Sequence, residues 1–234
     1  MASLKNTFNI FFWGTFGFFI LKYTVKTGNT WVWTTFYIMI SILLMYFVNM
    51  GVFQDKCGFS DAWAVFKATL IPWVLIFGMM VTLINIYPGW KSPFSNTVGY
   101  MFALLSPSVT ELKTYVDEQY ELVIKDPLLF INEINMNNVE DVVASDKHMN
   151  IFNDENKEKA KVLIRNLVFL KELISEWVWF MLTGFVTIST SHNLLANTPC
   201  KTSVDQQSKT YNKQIVEEDD TPVVTSSRVY TENE

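Results

Sequence analysis

The 234-residue sequence has few of the residues that usually build metal centres and catalytic sites. It holds two cysteines, Cys57 and Cys200, and two histidines, His148 and His192, without any CxxC motif or Cys/His cluster. Neither histidine has a nucleophile or an acid beside it in a recognisable pattern, and single glycines in the polar loops form no phosphate-binding loop. We therefore expect no enzyme active site, no metal, no cofactor and no small-molecule substrate.

Charge is scarce where the chain is most apolar. The net charge is −5, and the acidic residues concentrate in residues 111–176 and after Asn197. This balance argues against nucleic acid as a partner, because nucleic-acid binding usually needs a basic surface. Within the apolar runs, Lys67 and Asn85 are the polar residues that could serve an ion pathway, and both lie near the end of a run.

Half of the residues are hydrophobic and 15% are aromatic, and they crowd into four runs. A helix needs roughly 20 apolar residues to cross a bilayer, where its backbone must satisfy its own hydrogen bonds. The sequence therefore predicts an all-α membrane protein with about four transmembrane helices. The short first run, 8–23, leaves two alternatives open: an interfacial or re-entrant helix, and a signal peptide, although no small-x-small cleavage site follows it.

The runs divide the chain into four regions. Residues 1–100 form a transmembrane region with an aromatic loop and three spans, at 8–23, 31–53 and 62–87. A helical extramembrane domain follows at 101–176, then the fourth transmembrane helix at 177–197, then a polar acidic tail at 198–234. The tail has no apolar periodicity, so we expect it to lack a core of its own.

Local signals mark several helix boundaries. Ser60 or Asp61 is placed to cap the third span, and Pro72 is expected to kink it. In the extramembrane domain, Ser106 followed by Pro107 is typical of a helix start. We predict helices there at 109–125, 128–134 and 139–144.

A long helix is predicted to begin at Asp154. Apolar residues recur at three- and four-residue steps from Ala160 to Trp177, which places them on one face. No break signal separates this stretch from the fourth apolar run, so we expect one continuous helix of roughly 40 residues, half in water and half in lipid. Pro199 is expected to stop it.

Two features suggest specific contacts. Four spans place Cys57 and Cys200 on the same side of the membrane, so a disulfide is possible, while two reduced cysteines are the alternative in a cytosolic setting. The aromatic loop 87–100 carries little charge, and it is either a membrane-interface belt or a surface that contacts a partner. Its possible contact residues are Trp90, Lys91, Phe94, Asn96 and Tyr100.

Three segments carry a resemblance to a known group of proteins. They are PGWKSPFSNTVGY at 88–100, DPLLFINEI at 126–134, and the stretch at 189–200 that leaves the last run. Together they resemble a membrane protein of nucleocytoplasmic large DNA viruses, which build icosahedral capsids around an internal membrane. The resemblance covers roughly residues 55–200, and its motifs carry no catalytic chemistry.

The resemblance implies a giant-virus virion protein in the internal membrane, reached through host endomembranes during assembly. Its partners would be the lipid bilayer and capsid or other virion proteins, which it would join as a minor capsid-type structural component. The rival interpretation is a small channel- or transporter-like membrane protein. Intramembrane charge and inverted repeats would favour that rival, and the sequence has little of either.

Overall fold

The fold was taken from a computed structural model, which describes residues 4–25, 30–120, 125, 132 and 134–200. Within these residues every named element is helical, and the one β-bridge, between Val116 and Phe152, is isolated. Four helices are long and apolar enough to cross a membrane: Leu4–Val25, Trp31–Cys57, Ala62–Ile86 and Asp154–Asn197. The predicted all-α fold with four spans is therefore confirmed.

The first helix, α1, is longer than its apolar run. It covers Leu4–Val25, and its 22 residues extend about 33 Å at 1.5 Å per residue, enough for a hydrocarbon core of about 30 Å. Phe11 and Phe19 of α1 are buried against aromatic residues of the third and fourth spans. This length and packing favour a span over an interfacial helix. The second helix, α2, covers Thr30–Cys57.

The third span is built from three consecutive pieces. These are α3 at Ala62–Pro72, a π-helical segment at Trp73–Gly78, and α4 at Met79–Ile86. Asp61, one of the two residues predicted to cap this span, caps α3. Its Oδ1 accepts a hydrogen bond from the backbone N–H of Ala64 at 3.0 Å. The change from α to π directly follows Pro72, which has no N–H to donate to the preceding turn.

The segment after the third span is helical, so the prediction of an aromatic loop there is wrong. It runs as a 3-10 turn at Pro88–Lys91, α5 at Ser92–Phe94, a π-helical segment at Ser95–Gly99, and α6 at Tyr100–Leu104. Its two prolines resemble turn signals, but both occupy the first positions of a helical piece, where a missing N–H costs nothing.

The region between the third and fourth spans, residues 101–176, is called the inter-span domain below. It contains α7 at Pro107–Tyr115, α8 at Val139–Ala144 and α9 at Asp146–Met149. Ser106 caps α7 as predicted, with its Oγ accepting from the N–H of Ser108 at 3.3 Å. The predicted helix at 139–144 is confirmed, while most of the one at 128–134 lies outside the described residues.

The helix predicted over 109–125 is too long, because α7 ends at Tyr115. The chain there turns to pair with an extended stretch before the fourth span. Asn153 N–H donates to the Tyr115 carbonyl, and Asp117 N–H donates to the Ile151 carbonyl, both at 2.9 Å. These long-range bonds take over the backbone groups that would otherwise continue the helix.

The last helix among the described residues, α10, covers Lys157–Asn197 after a 3-10 turn at Asp154–Asn156. Its 41 residues form one helix of about 60 Å, which confirms the predicted continuous helix. The N-terminal half belongs to the core of the inter-span domain, through Ala160, Ile164, Leu167 and Val168. The C-terminal half belongs to the cores between the spans, through Leu173, Phe180, Met181, Ile188 and Leu195. The tail from 201 onward lies outside the described residues.

Candidate functional site

Four polar residues lie together in the middle of α10, where the helix passes from one core to the other. Lys171, Glu172, Ser175 and Glu176 share one face by their spacing, and each is less than 9% exposed. Buried charges are costly unless they are paired and hydrogen-bonded, so their partners identify what this face holds in place. We call these four residues, with Lys22 and Lys91, the junction.

The end of α1 is joined to α10 by a buried ion pair. Lys22 Nζ donates to both carboxylate oxygens of Glu176, at 2.7 and 2.8 Å. The side chains are only 6% and 9% exposed. Because Lys22 lies in the last turn of α1, the pair fixes the end of the first span against the centre of α10.

Lys171 and Glu172 hold two segments of the chain against α10. Lys171 Nζ donates to the backbone carbonyl of Asn132 at 2.8 Å and to Asn96 Oδ1 at 3.2 Å. Glu172 Oε1 accepts from the N–H of Met136 at 2.8 Å, and its Oε2 lies 3.7 Å from Lys91 Nζ. The junction thus connects the end of the third span, the inter-span domain and the fourth span.

The helical segment 88–104 lies directly on α10. Gly99 is its closest point, because a Cβ built there would lie 2.4 Å from the Lys171 carbonyl oxygen. Ser175 Oγ donates to the Lys91 carbonyl at 2.6 Å, and Trp179 Nε1 donates to the Trp90 carbonyl at 2.9 Å. These contacts with α10 stabilise the segment, and they explain why it is helical where the sequence predicted a loop.

The five residues proposed as a partner-contact loop have contacts within the chain. The Trp90 and Lys91 carbonyls and the Asn96 side chain accept hydrogen bonds from α10, and the Phe94 ring lies 5.0 Å from the Trp179 ring. Tyr100 packs against the core of the inter-span domain. Contact of this surface with another protein stays a prediction, and Trp90 is 45% exposed.

A polar cavity of about 110 Å³ opens beside the junction. Its wall combines cationic, anionic, amide and hydroxyl side chains from the 88–104 segment, the inter-span domain and α10. The described residues that supply them include Lys91, Ser92, Asn96, Asn132, Lys171 and Glu172. Sequence inspection singled out only Lys91 and Asn96 of this set, because the others come together through contacts distant in sequence.

Comparison with known proteins identifies no relative of this chain. No protein-family model, curated protein or solved structure matches this chain. The functional argument therefore depends on the geometry of the described residues and, for the viral setting, on the resemblance of the three segments.

Several buried polar side chains inside the spans form hydrogen bonds with one another. Asn49 Nδ2 of α2 donates to Thr69 Oγ1 at 2.8 Å and to Ser191 Oγ at 2.9 Å, which joins three spans at one point. The hydroxyls of Thr15 and Tyr37 lie 2.6 Å apart and join α1 to α2. Such bonds hold transmembrane helices together. Asn49 could have been found from the sequence, because it is the only amide side chain within the apolar run 31–53.

The two residues that the sequence offered for an ion pathway, Lys67 and Asn85, are not part of these hydrogen bonds between spans. Lys67 is exposed, with its Nζ 5.5 Å from the Trp63 ring centre, and Asn85 Nδ2 donates to the Val81 carbonyl of its own helix. His148 is exposed and His192 is half-buried. Among the described residues no three His, Cys, Asp or Glu side chains are grouped as metal ligands.

Outside the spans, one exposed ion pair connects α8 to α10. Arg165 Nε and Nη2 donate to the two carboxylate oxygens of Glu140, at 2.8 and 2.7 Å. These hydrogen bonds hold the pKa of Glu140 below its usual value. Because both side chains are well exposed, this pair should contribute little to stability, and it serves below as a control for the buried pairs.

We expect Cys57 and Cys200 to form a disulfide when the protein is isolated without reductant. Lys56 Nζ donates to the carbonyls of Leu195 and Ala196, at 3.1 and 2.7 Å, so the end of α2 lies beside the last turn of α10. Cys57 follows Lys56, and Cys200 lies three residues beyond the end of that turn, which keeps the required path short. Peptide mapping of alkylated, unreduced protein checks this, and an alkylated Cys57 peptide in that sample would contradict it.

Proposed function

We propose that the protein is a structural membrane protein of a large DNA virus. In this proposal it anchors the internal membrane to the overlying capsid shell, as a minor capsid-type component. The viral setting is supported by the resemblance of segments 88–100, 126–134 and 189–200. The anchoring role is supported by the geometry of α10.

One observation carries the anchoring role: α10 is a single helix that belongs to two cores. Its N-terminal half packs in the inter-span domain, and its C-terminal half packs among the spans. A helix that continues without interruption transmits a load along its axis, because every turn is braced by its backbone hydrogen bonds. A partner that binds the inter-span domain would therefore be connected to the lipid-embedded helices without a flexible linker.

The paired polar groups within the spans also favour anchoring over conduction. Asn49, Thr69 and Ser191 satisfy each other, as do Thr15 and Tyr37, so these side chains act as contacts between helices. An ion pathway would instead need charged or polar groups directed at a water-filled passage. The described intramembrane contacts thus strengthen a bundle suited to holding position.

Cross-linking in intact particles tests the proposal. Lys147 and Lys159 are exposed on the inter-span domain, whereas Lys67 lies near the opposite end of the third span. We expect a lysine-reactive cross-linker to join Lys147 or Lys159 to capsid proteins, with Lys67 as the matched control that gives no such product. Mass spectrometry of purified particles, compared with host membranes, measures both the products and the location of the protein.

Two outcomes would contradict the anchoring role. The first is the absence of the protein from purified particles together with its presence in host membranes. The second is capsid cross-links that arise from Lys67 and not from the inter-span domain. A version truncated after Asn197 then separates the contribution of the tail, since normal cross-linking by that version assigns the contact to the inter-span domain alone.

A further inference from the structure

The polar cavity beside the junction lies at the level where the spans end. Gly89 and Lys91 of its wall are three and five residues after Ile86, the last residue of the third span. On α10, Glu172 lies one turn from Glu176, which pairs with the last turn of α1. Trp90 and Trp179 lie nearby, and tryptophan favours the boundary between hydrocarbon and headgroups. The molecules available at this depth are water and lipid headgroups.

One part of the cavity wall is suited to an anion. Lys91 Nζ is 3.7 Å from its carboxylate neighbour, a separation longer than a hydrogen bond, so the ammonium can turn toward a ligand. Asn96 uses its Oδ1 to accept from Lys171, which orients its amide nitrogen away from that lysine. Ser92 adds a hydroxyl. Ammonium, amide and hydroxyl donors together match the oxygens of a phosphate.

The other part of the wall is suited to a cation with N–H groups. Asn132 Oδ1 is buried, and no hydrogen-bond partner for it exists among the described residues. Glu172 is 8% exposed and keeps a carboxylate oxygen near the cavity, at 3.7 Å from Lys91. A buried acceptor without a partner costs free energy, and a ligand donor would recover it.

We propose that the cavity binds the headgroup of an ethanolamine phospholipid, with the phosphate at Lys91, Ser92 and Asn96 and the ammonium at Glu172 and Asn132. The cavity volume of about 110 Å³ is several times the roughly 10–15 Å³ that a cavity needs to hold one water, so it has room for a small polar headgroup. The proposal is independent of the viral role, since it depends only on the cavity and its depth.

The wall also discriminates among headgroups. A choline headgroup carries three methyl groups in place of the N–H donors, so it would leave the Asn132 and Glu172 oxygens unsatisfied. A glycerol headgroup carries no positive charge, so the Glu172 carboxylate would gain no ionic partner from it. Ethanolamine supplies both the charge and the donors.

Native mass spectrometry of the full chain tests this inference. The detergent-solubilised protein is exposed to equal amounts of phosphatidylethanolamine, phosphatidylcholine and phosphatidylglycerol with identical acyl chains. We expect the ethanolamine lipid to be retained about ten-fold more than either of the others, as one hydrogen bond to a charged group would produce. Equal retention of the three lipids, or a preference for phosphatidylglycerol, would overturn the proposal without any variant.

A paired variant tests the residues. The double substitution Lys91→Met with Glu172→Gln removes both charges together, so neither is left buried without a partner. We expect it to retain the ethanolamine and choline lipids equally. The matched control, Arg165→Met with Glu140→Gln, removes the exposed ion pair of α10 and should keep the ten-fold preference. A double variant that keeps the preference would overturn the assignment.

A soluble headgroup distinguishes the source of the ligand. Glycerophosphoethanolamine has the same phosphate and ammonium without acyl chains. We expect no retained adduct at concentrations where the phospholipid saturates the site, because the chains hold the headgroup at the depth of the cavity. Saturation by the soluble compound at those concentrations would assign the cavity to a water-soluble ligand and overturn the lipid proposal.

Discussion

Replacing Lys22 with methionine is expected to lower the free energy of unfolding by about 3–5 kcal/mol, because the substitution leaves Glu176 as a buried charge without its partner. The two side chains are 6% and 9% exposed, and the lysine donates to both carboxylate oxygens. Denaturant or thermal unfolding of the purified protein in micelles measures the loss.

Two further variants separate the charge from the packing. The double substitution Lys22→Met with Glu176→Gln removes both charges, so most of the lost stability should return. Lys161→Met breaks an exposed pair with Glu158, three residues away on α10, and should cost less than about 1 kcal/mol. If Lys22→Met costs no more than this control, the buried pair does not hold α1 against α10.

Replacing Gly99 with alanine is expected to destabilise the protein by about 1–3 kcal/mol, the usual cost of overpacking. The added Cβ would lie 2.4 Å from the carbonyl oxygen of Lys171 and 3.0 Å from its Cα. These neighbours are backbone atoms of a long helix, so they cannot move aside as the tip of a side chain could. The 88–104 segment would have to lift from α10, which should weaken the hydrogen bonds around it.

Gly51→Ala is the matched control, because a Cβ built at Gly51 of α2 meets nothing within 4 Å. Alanine in a helix interior is usually favoured over glycine by about 0.5–1 kcal/mol, so this variant should be neutral or more stable. The two substitutions are chemically identical, and only Gly99→Ala should lower the unfolding midpoint. A neutral result for Gly99→Ala would mean that the segment does not lie as close to α10 as described.

The sequence was sufficient to predict the structural features that depend on local patterns. Runs of apolar residues located the four spans, and capping residues such as Asp61 and Ser106 located the helix starts. The continuity of α10 followed from an apolar period without a break. Each of these signals acts over one or two helical turns, so neighbouring residues alone contain it.

The junction could not be predicted in the same way. Lys22 and Glu176 are separated by 154 positions, and Asn49 and Ser191 by 142, so no local window contains both partners. The 88–104 segment was mistaken for a loop for a related reason. Its glycines and prolines are turn signals on average, and a helix forms there because Gly99 packs closely on α10 and α10 donates hydrogen bonds to the segment.

The position of α10 at the end of the described chain has a consequence for biosynthesis. Both cores need residues of α10, so neither can be completed until this helix has left the ribosome. Lys22 is synthesised 154 residues before Glu176, which corresponds to roughly 8–30 s at about 5–20 residues per second. The second and third spans are made during that interval, while Lys22 at the end of α1 lacks its partner Glu176. Insertion of α10 is therefore the step that completes both cores.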